Sequence, residues 1–175
     1  MDLQHIQNEK RFLGQEFLTW LWWISEEEGQ IDLIDGTSLE IMLADRMSLR
    51  PVAGADGARV SLRGKEARLA EARHALRAGK LVDRLRLGLT IDGEDYWLTL
   101  DATELAIGAL RTPAMAPAEG GREGRDALTL ERIALIETAV RALDGLYRQY
   151  LAGRMATATG GEDWERMRAW AAAQA

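Results

Sequence analysis

Apolar residues recur every three or four positions near the start of the chain, which is the spacing of one face of an α-helix. The pattern predicts a first helix over residues 8–25. Trp20 lies on its apolar stripe, whereas Trp22 and Trp23 point to other sides, so a single sheet cannot bury all three. We therefore expect these tryptophans to pack in the core, partly against the C-terminal helices, or to enter a seam between two subunits.

Alternating apolar and polar residues follow, a period of two that is typical of strands with one buried face. An amphipathic helix is predicted among them over residues 66–78, and Asp92-Gly93 is a strong hairpin signal. The predicted strands cover residues 31–33, 39–43, 60–62, 85–91, 94–100 and 104–111. A helix followed by an antiparallel meander with one further helix, then a helical region, predicts an α+β fold.

A segment rich in glycine and proline, residues 113–126, predicts a flexible connector. Beyond it, apolar residues step alternately by three and four along a long helix, which is a heptad-like seam. The seam includes Ile136, Val140, Leu143 and Tyr147. We therefore predict three parts: an α+β core (1–112), the connector, and a C-terminal helical segment (127–175) that packs on the core or on a second subunit.

The composition excludes several kinds of chemistry. The 175 residues include no cysteine and two histidines, which argues against disulfides, a thiolate nucleophile and a His-rich zinc site. Neither histidine is in a position to act as the general base of a Ser-His-Asp triad. We therefore predict a protein that is not an enzyme and needs no metal or cofactor. The apolar run at Trp20–Ile24 is too short to span a bilayer, and no export signal is visible. We expect a cytoplasmic protein without membrane association.

The charge is unevenly distributed along the chain. The total is −6, but the segment from Arg46 to Arg86 contains eleven basic and four acidic residues, a net charge of +7, so the remainder carries −13. One interpretation is a basic working surface on an otherwise acidic protein. The other is an ordinary solvated helix whose charges offset the acidic remainder. The sequence leaves both interpretations open.

The cations around the second predicted helix are the candidate binding residues. Arg73, Arg77 and Lys80 have the spacing i, i+4, i+7, which predicts one helical face. Alternation in the next strand puts Arg84 and Arg86 opposite its apolar side chains, so we expect these five cations to share one surface. The full predicted set is Arg63, Lys65, Arg73, Arg77, Lys80, Arg84 and Arg86. No base-reading motif accompanies it, so contacts would be made to the nucleic-acid backbone.

The segment "VSLRGKEARLAEARHALRAGKLVDRLRLGLTIDGEDYWLTLDATELAIGALRTP" resembles the C-terminal half of the RdgC family of recombination-associated, nucleoid-binding proteins. The similarity lies in the order of a basic strand, an amphipathic helix ending at Ala78-Gly79-Lys80, and two further strands before "LRTP". Together with "FLGQEFLTWLWWISEEEG" it covers roughly residues 11–112. Residue by residue, the similarity extends to Lys80 with its glycine and to Arg84.

The resemblance implies a nucleoid-associated homodimer that cradles or encircles double-stranded DNA without sequence preference and restrains the loading of a RecA-type recombinase. The family's N-terminal part, which helps to close the ring, has no counterpart in this sequence, so an open cradle, other dimer contacts and loss of DNA binding are alternatives. A different class of function is also open. In it, acidic faces and the heptad-like helix bind a partner protein, as in an interaction or inhibitor module.

Overall fold

A computed structural model describes residues 3–52, 55–64, 67–117, 121–156 and 162–173. The helices in these ranges are α1 (Leu3–Glu27), α2 (Ala67–Arg77), α3 (Gly121–Ala156) and α4 (Glu162–Ala173). The strands are β1 (Gln30–Asp32), β2 (Ser38–Pro51), β3 (Val60–Arg63), β4 (Lys80–Ile91), β5 (Glu94–Asp101) and β6 (Ala106–Arg111). The predicted α+β class is confirmed.

The strands form one antiparallel sheet in the order β1-β2-β4-β5-β6, with β3 paired to β2. One edge of β2 pairs with β4, and its other edge pairs with β1 at its start and β3 nearer its end. The hairpin between β4 and β5 was predicted from Asp92-Gly93. Both residues have positive φ, 53° and 81°, the backbone that a two-residue hairpin turn requires, and the hairpin is confirmed.

Strand β2 continues far beyond the predicted run at 39–43. Its pairing with β4 shifts register between Leu43 and Met47, and such a bulge interrupts the alternation of apolar and polar residues. After the bulge, Met47 and Leu49 are again buried. The alternation of apolar and polar residues therefore does not predict the second half of β2.

Helix α1 lies against one face of the sheet. The backbone N–H of Val82 on β4 donates to Thr19 Oγ1 at 3.1 Å, and Thr19 in turn donates to the Gln15 carbonyl at 2.7 Å. Gly14 is so close to the Ala102 carbonyl group that no space remains for a Cβ atom. At Gly14 the helix thus approaches the backbone that follows β5 more closely than a residue with a side chain would allow.

The three tryptophans belong to the core of this chain. Trp20 packs on Tyr150 of α3, with ring centroids 5.9 Å apart. Trp22 meets Trp170 of α4 edge-on at 5.0 Å, and the Arg166 guanidinium lies 5.6 Å from the centre of the Trp23 ring. Trp22 and Trp23 were expected either against the C-terminal helices or in a seam between subunits. The structure has them against α4.

A buried polar contact ties α1 to α3. The Glu16 carboxylate, only 6% exposed, accepts hydrogen bonds from the Tyr150 hydroxyl at 3.1 Å and from Arg154 Nε at 2.8 Å. Burial raises the pKa of the Tyr150 hydroxyl, and the nearby Glu16 charge raises it further, so the hydroxyl stays protonated and donates. The charge of Glu16 is thereby compensated inside the protein.

Helix α3 differs from its prediction in two respects. It begins at Gly121, within the predicted connector. There the negative charge of Glu123 in the first turn interacts favourably with the positive end of the helix dipole. The predicted seam is also divided. Leu143 and Tyr147 pack against the core, whereas Ile136 and Val140 remain 39% and 44% exposed, because the core ends before the helix does. None of the described helices is both long and apolar enough to cross a membrane.

Candidate functional site

Helices α1 and α2 cover the same face of the sheet: both bury residues in the one core that the sheet lines, and Arg73 of α2 reaches Glu26 of α1 at 2.8 Å. The opposite face, which we call the open face, carries the polar positions of the central strands. Arg84 and Asp101 are directly paired across β4 and β5, as are Arg86 and Thr99. The alternation predicted for β4 is observed: Leu85, Leu87 and Leu89 are buried on the side opposite to these arginines.

A groove of about 650 Å³ lies on the open face between β3 and β6. Five arginines from three strands and the β2–β3 loop line it, and we call them the arginine groove: Arg46, Arg59, Arg63, Arg84 and Arg86. The carboxylates in its lining are Asp101 and Glu104, and the hydroxyl groups are Ser48, Ser61, Thr99 and Thr103. The positive charges of the groove therefore outnumber its negative charges.

Arg84 is held by an acidic neighbour on the next strand. Its Nη2 lies 2.7 Å and its Nε 3.2 Å from Asp101 Oδ2. Partial burial alone would raise the pKa of the Asp101 carboxyl, but the Thr103 backbone N–H and the Arg84 guanidinium outweigh it and hold that pKa below its usual value. The stability from this contact is present at neutral pH and is lost as the pH falls through the lowered pKa.

Arg59 is oriented by contacts of its guanidinium group. Its Nη2 donates to Ser48 Oγ at 2.6 Å and lies 3.8 Å from the buried carboxylate of Asp83. Asp83 occupies an irregularity in the pairing of β4 with β2 and also lies 3.2 Å from Arg50 Nε. The irregularity thus brings an acidic residue of β4 close to a loop arginine that lines the groove.

Arg46 and Arg63 oppose each other directly across β2 and β3. Both side chains are exposed, and in the described part of the chain no ion pair joins either of them to a carboxylate. Like charges in this position are destabilising by a few tenths to about 1 kcal/mol. The pair is therefore a place where an anion would be favoured between two strands.

The structure divides the predicted set of cations. Arg63, Arg84 and Arg86 line the groove, whereas Lys65 lies outside the described residues. Arg73 and Arg77 belong to α2 in the helical layer, where Arg73 pairs with Glu26. The five cations therefore do not share one surface, because helical spacing does not reveal which way a helix faces.

Lys80 needs a separate correction. It was predicted on the same helical face as Arg73, but α2 ends at Arg77, and Gly79 adopts a left-handed φ of 78°, as is usual after a helix C-terminus. Lys80 then opens β4. It is half-buried and does not line the groove.

Arg46 and Arg59 were counted within the basic segment but not selected as site residues. Arg46 lies in the part of β2 that the bulge hides from pattern recognition, and Arg59 lies just before β3. The only sign of them in the sequence was the excess of arginine before the second helix. This excess indicated a basic surface but not which residues form it.

The wall formed by β6 has an unusual backbone. Ala109 lines the groove with a φ of 50°, and Leu105, just before the strand, has a φ of 53°. The pairing of β5 with β6 shifts between Trp97 and Thr99. Left-handed residues other than glycine cost about 1 kcal/mol or more and are concentrated at functional sites. The strained backbone of β6 is therefore consistent with a functional role for this wall of the groove.

Among the described residues no cluster of three or more histidine, cysteine, aspartate or glutamate side chains is arranged to hold a metal ion. No known family model matches the chain, and no curated protein is significantly similar to it. The RdgC resemblance therefore stays a prediction that rests on the order of sequence features.

Proposed function

We propose that this protein binds DNA without sequence preference, through phosphate contacts in the arginine groove. The observation that carries the proposal is the convergence of five arginines on one open groove with two carboxylates in its lining. Arg84 is paired with one of these carboxylates, Asp101, and Arg59 lies 3.8 Å from Asp83. Double-stranded DNA, which the resemblance implies, is the first ligand to test. The link to a recombinase and to the nucleoid remains a prediction from the resemblance.

Arginine suits this role because its planar guanidinium makes bidentate contacts with phosphate and stays charged at every physiological pH. The groove is open, so it fits a repeating anionic backbone better than an enclosed small molecule. Each neutralised phosphate releases counterions, so the logarithm of the binding constant should fall with the logarithm of salt concentration, with a slope of roughly −0.9 for each phosphate that the groove neutralises.

The first prediction concerns Arg63. We expect Arg63→Glu to weaken binding to a short DNA duplex about tenfold near 0.1 M salt and to reduce the salt slope by about 1 or more. The substitution also places a carboxylate opposite Arg46, which converts a repulsive cross-strand pair into an attractive one. The variant should therefore be at least as stable as the wild type, and fluorescence anisotropy with a urea titration would measure both effects.

The matched control is Arg77→Glu, which reverses another exposed arginine, one that lies in the helical layer. It should change affinity less than about threefold, because charges on the far side of the sheet are screened over about 10 Å at 0.1 M salt. Equal losses in the two variants would show that net charge, not the groove, governs binding. Absence of binding to both duplex and single-stranded DNA at low salt would reject the proposal.

A second candidate function is association with another protein through α3. Four exposed apolar side chains in the first twenty residues of α3 form what we call the apolar stripe: Leu130, Ile133, Ile136 and Val140. These residues are 39–68% exposed. An exposed apolar row of this kind is typical of an interaction surface.

The charges beside the stripe favour a second copy of this chain as the occupant. Ile133, Ile136 and Val140 occupy successive core positions of a heptad, flanked by Arg132 on one side and Glu137 on the other. In a parallel pair of helices, such flanking residues five positions apart meet across the seam. Arg132 of each copy would then face Glu137 of the other, twice by symmetry.

The second prediction tests this association. Ile133→Asp should shift the protein to monomer in sedimentation equilibrium, whereas Ala134→Asp, an exposed position on the same helix, should leave the assembly unchanged. Arg132→Glu and Glu137→Arg should each weaken the dimer, and combining them should restore it because the opposite charges meet again. A wild-type protein that stays monomeric at 100 µM would exclude a dimer with a Kd below about 100 µM and would overturn this candidate function.

A further inference from the structure

We propose that Trp97 is a base-stacking platform beside the arginine groove, so that the open face prefers unpaired nucleotides to a closed duplex. The inference rests on the proposed function and deepens it, because it names the form of nucleic acid that fits the face best. Unpaired bases expose their flat surfaces to aromatic side chains, whereas a duplex keeps them stacked on each other.

The orientation of the Trp97 ring is the first observation. Trp97 stands opposite Gly88 on β4, and three consecutive atoms of its six-membered ring lie 3.0, 3.1 and 3.2 Å from the position that a Cβ of Gly88 would occupy. An edge-on ring would bring one of these atoms much closer than its neighbours. The near-equal distances therefore mean that the ring lies flat over Gly88, on the open face of the sheet.

The absence of a side chain at Gly88 makes this arrangement possible, because a Cβ there would press on the ring. Gly88 itself is buried beneath the indole, while Trp97 retains partial exposure. A flat indole supported by backbone on one side and partly accessible to solvent is the surface on which a base can stack.

The surroundings of the ring are the second observation. Thr99, which lines the groove, is two residues along β5 on the same face, about 7 Å away by the rise of a strand. Arg86 pairs with Thr99 on one neighbouring strand, and Arg111 pairs with Trp97 on the other. A chain whose phosphates lie in the groove therefore brings its next base to the ring.

Base stacking adds affinity that phosphate contacts alone do not supply. By alanine substitution one stacked base contributes roughly a 5- to 150-fold change in affinity. The contribution tolerates any sequence, because every base has a flat face. A stacking site therefore agrees with binding that reads no sequence.

The third prediction compares three DNA probes of equal length by fluorescence anisotropy: oligo(dT), an abasic oligonucleotide with the same phosphates, and a duplex. Wild-type protein should bind oligo(dT) at least fivefold more tightly than the abasic strand and more tightly than the duplex. Trp97→Leu should remove the difference between oligo(dT) and the abasic strand, and Trp97→Phe should restore part of it. Thermal unfolding of each variant checks that the sheet is intact.

The outcomes separate this inference from the proposed function. If wild-type protein binds the abasic strand as tightly as oligo(dT), stacking is overturned while phosphate binding in the groove stands. If Trp97→Leu keeps the full preference for bases, the platform lies elsewhere and the inference is wrong. If none of the three probes binds, both the proposed function and the inference are rejected.

Discussion

Replacement of Trp22 with alanine should lower the free energy of unfolding by about 3–5 kcal/mol, the usual loss for a large buried aromatic residue. The Trp22 side chain is completely buried and meets Trp170 of α4 edge-on. Its indole N–H donates to Glu26 Oε1 at 2.6 Å, and the other oxygen of Glu26 accepts from Arg73 of α2 at 2.8 Å. Trp22 and Glu26 of α1 therefore join this helix to both α4 and α2.

Urea unfolding followed by circular dichroism would measure the loss, and Trp22→Phe separates its two parts. Phenylalanine retains most of the ring contact with Trp170 but cannot donate to Glu26, so we expect a loss between those of wild type and alanine. DNA affinity per folded molecule should be unchanged in both variants, because Trp22 lies on the far side of the sheet from the groove. A loss in Trp22→Ala below about 1 kcal/mol would contradict the description of this core.

Gly14→Ala should destabilise the protein by about 3 kcal/mol or more, although alanine is normally the better helix residue by about 1 kcal/mol. Gly14 is in contact with the carbonyl group of Ala102, and a Cβ atom would overlap that backbone. A backbone group cannot turn aside as a flexible side chain can, so α1 must move away from the sheet and the core must open.

Gly153→Ala on α3 is the matched control for this change. Gly153 is also helical, but nothing lies within 4 Å of the position that its Cβ would occupy. The same substitution should therefore stabilise the protein by roughly 0.5–1 kcal/mol. Opposite signs for the two variants in urea unfolding would establish that close packing on Ala102 is the cause, and a stabilised Gly14→Ala would refute the close approach.

Local signals in the sequence were sufficient for most of the fold. The Asp92-Gly93 turn, the left-handed cap at Gly79 and the periodicity of α1 depend on interactions within a few residues, so their patterns are visible in the sequence alone. The α+β class follows from these elements taken together.

The candidate site depends on contacts that are distant in sequence, and for this reason only part of it was predicted. Arg73 is held by Glu26, which lies 47 positions away, and no spacing rule within α2 reveals this partner. Arg46 reaches the groove through a bulged strand, and Arg59 through its contact with Ser48. The alternation of β4 placed Arg84 and Arg86 correctly, because a strand fixes the direction of its own side chains.

Helix α3 is continuous over 36 residues, about 54 Å at the rise of an α-helix. Its C-terminal half is fastened to α1 by the contacts of Glu16 with Tyr150 and Arg154, so its N-terminal half acts as a stiff arm. Two copies joined along these arms would carry their arginine grooves at a separation set by rigid helices instead of a flexible linker. A single DNA molecule that spans this separation would bind the second groove intramolecularly, and the dimer would gain avidity of roughly 10²- to 10⁴-fold over one groove.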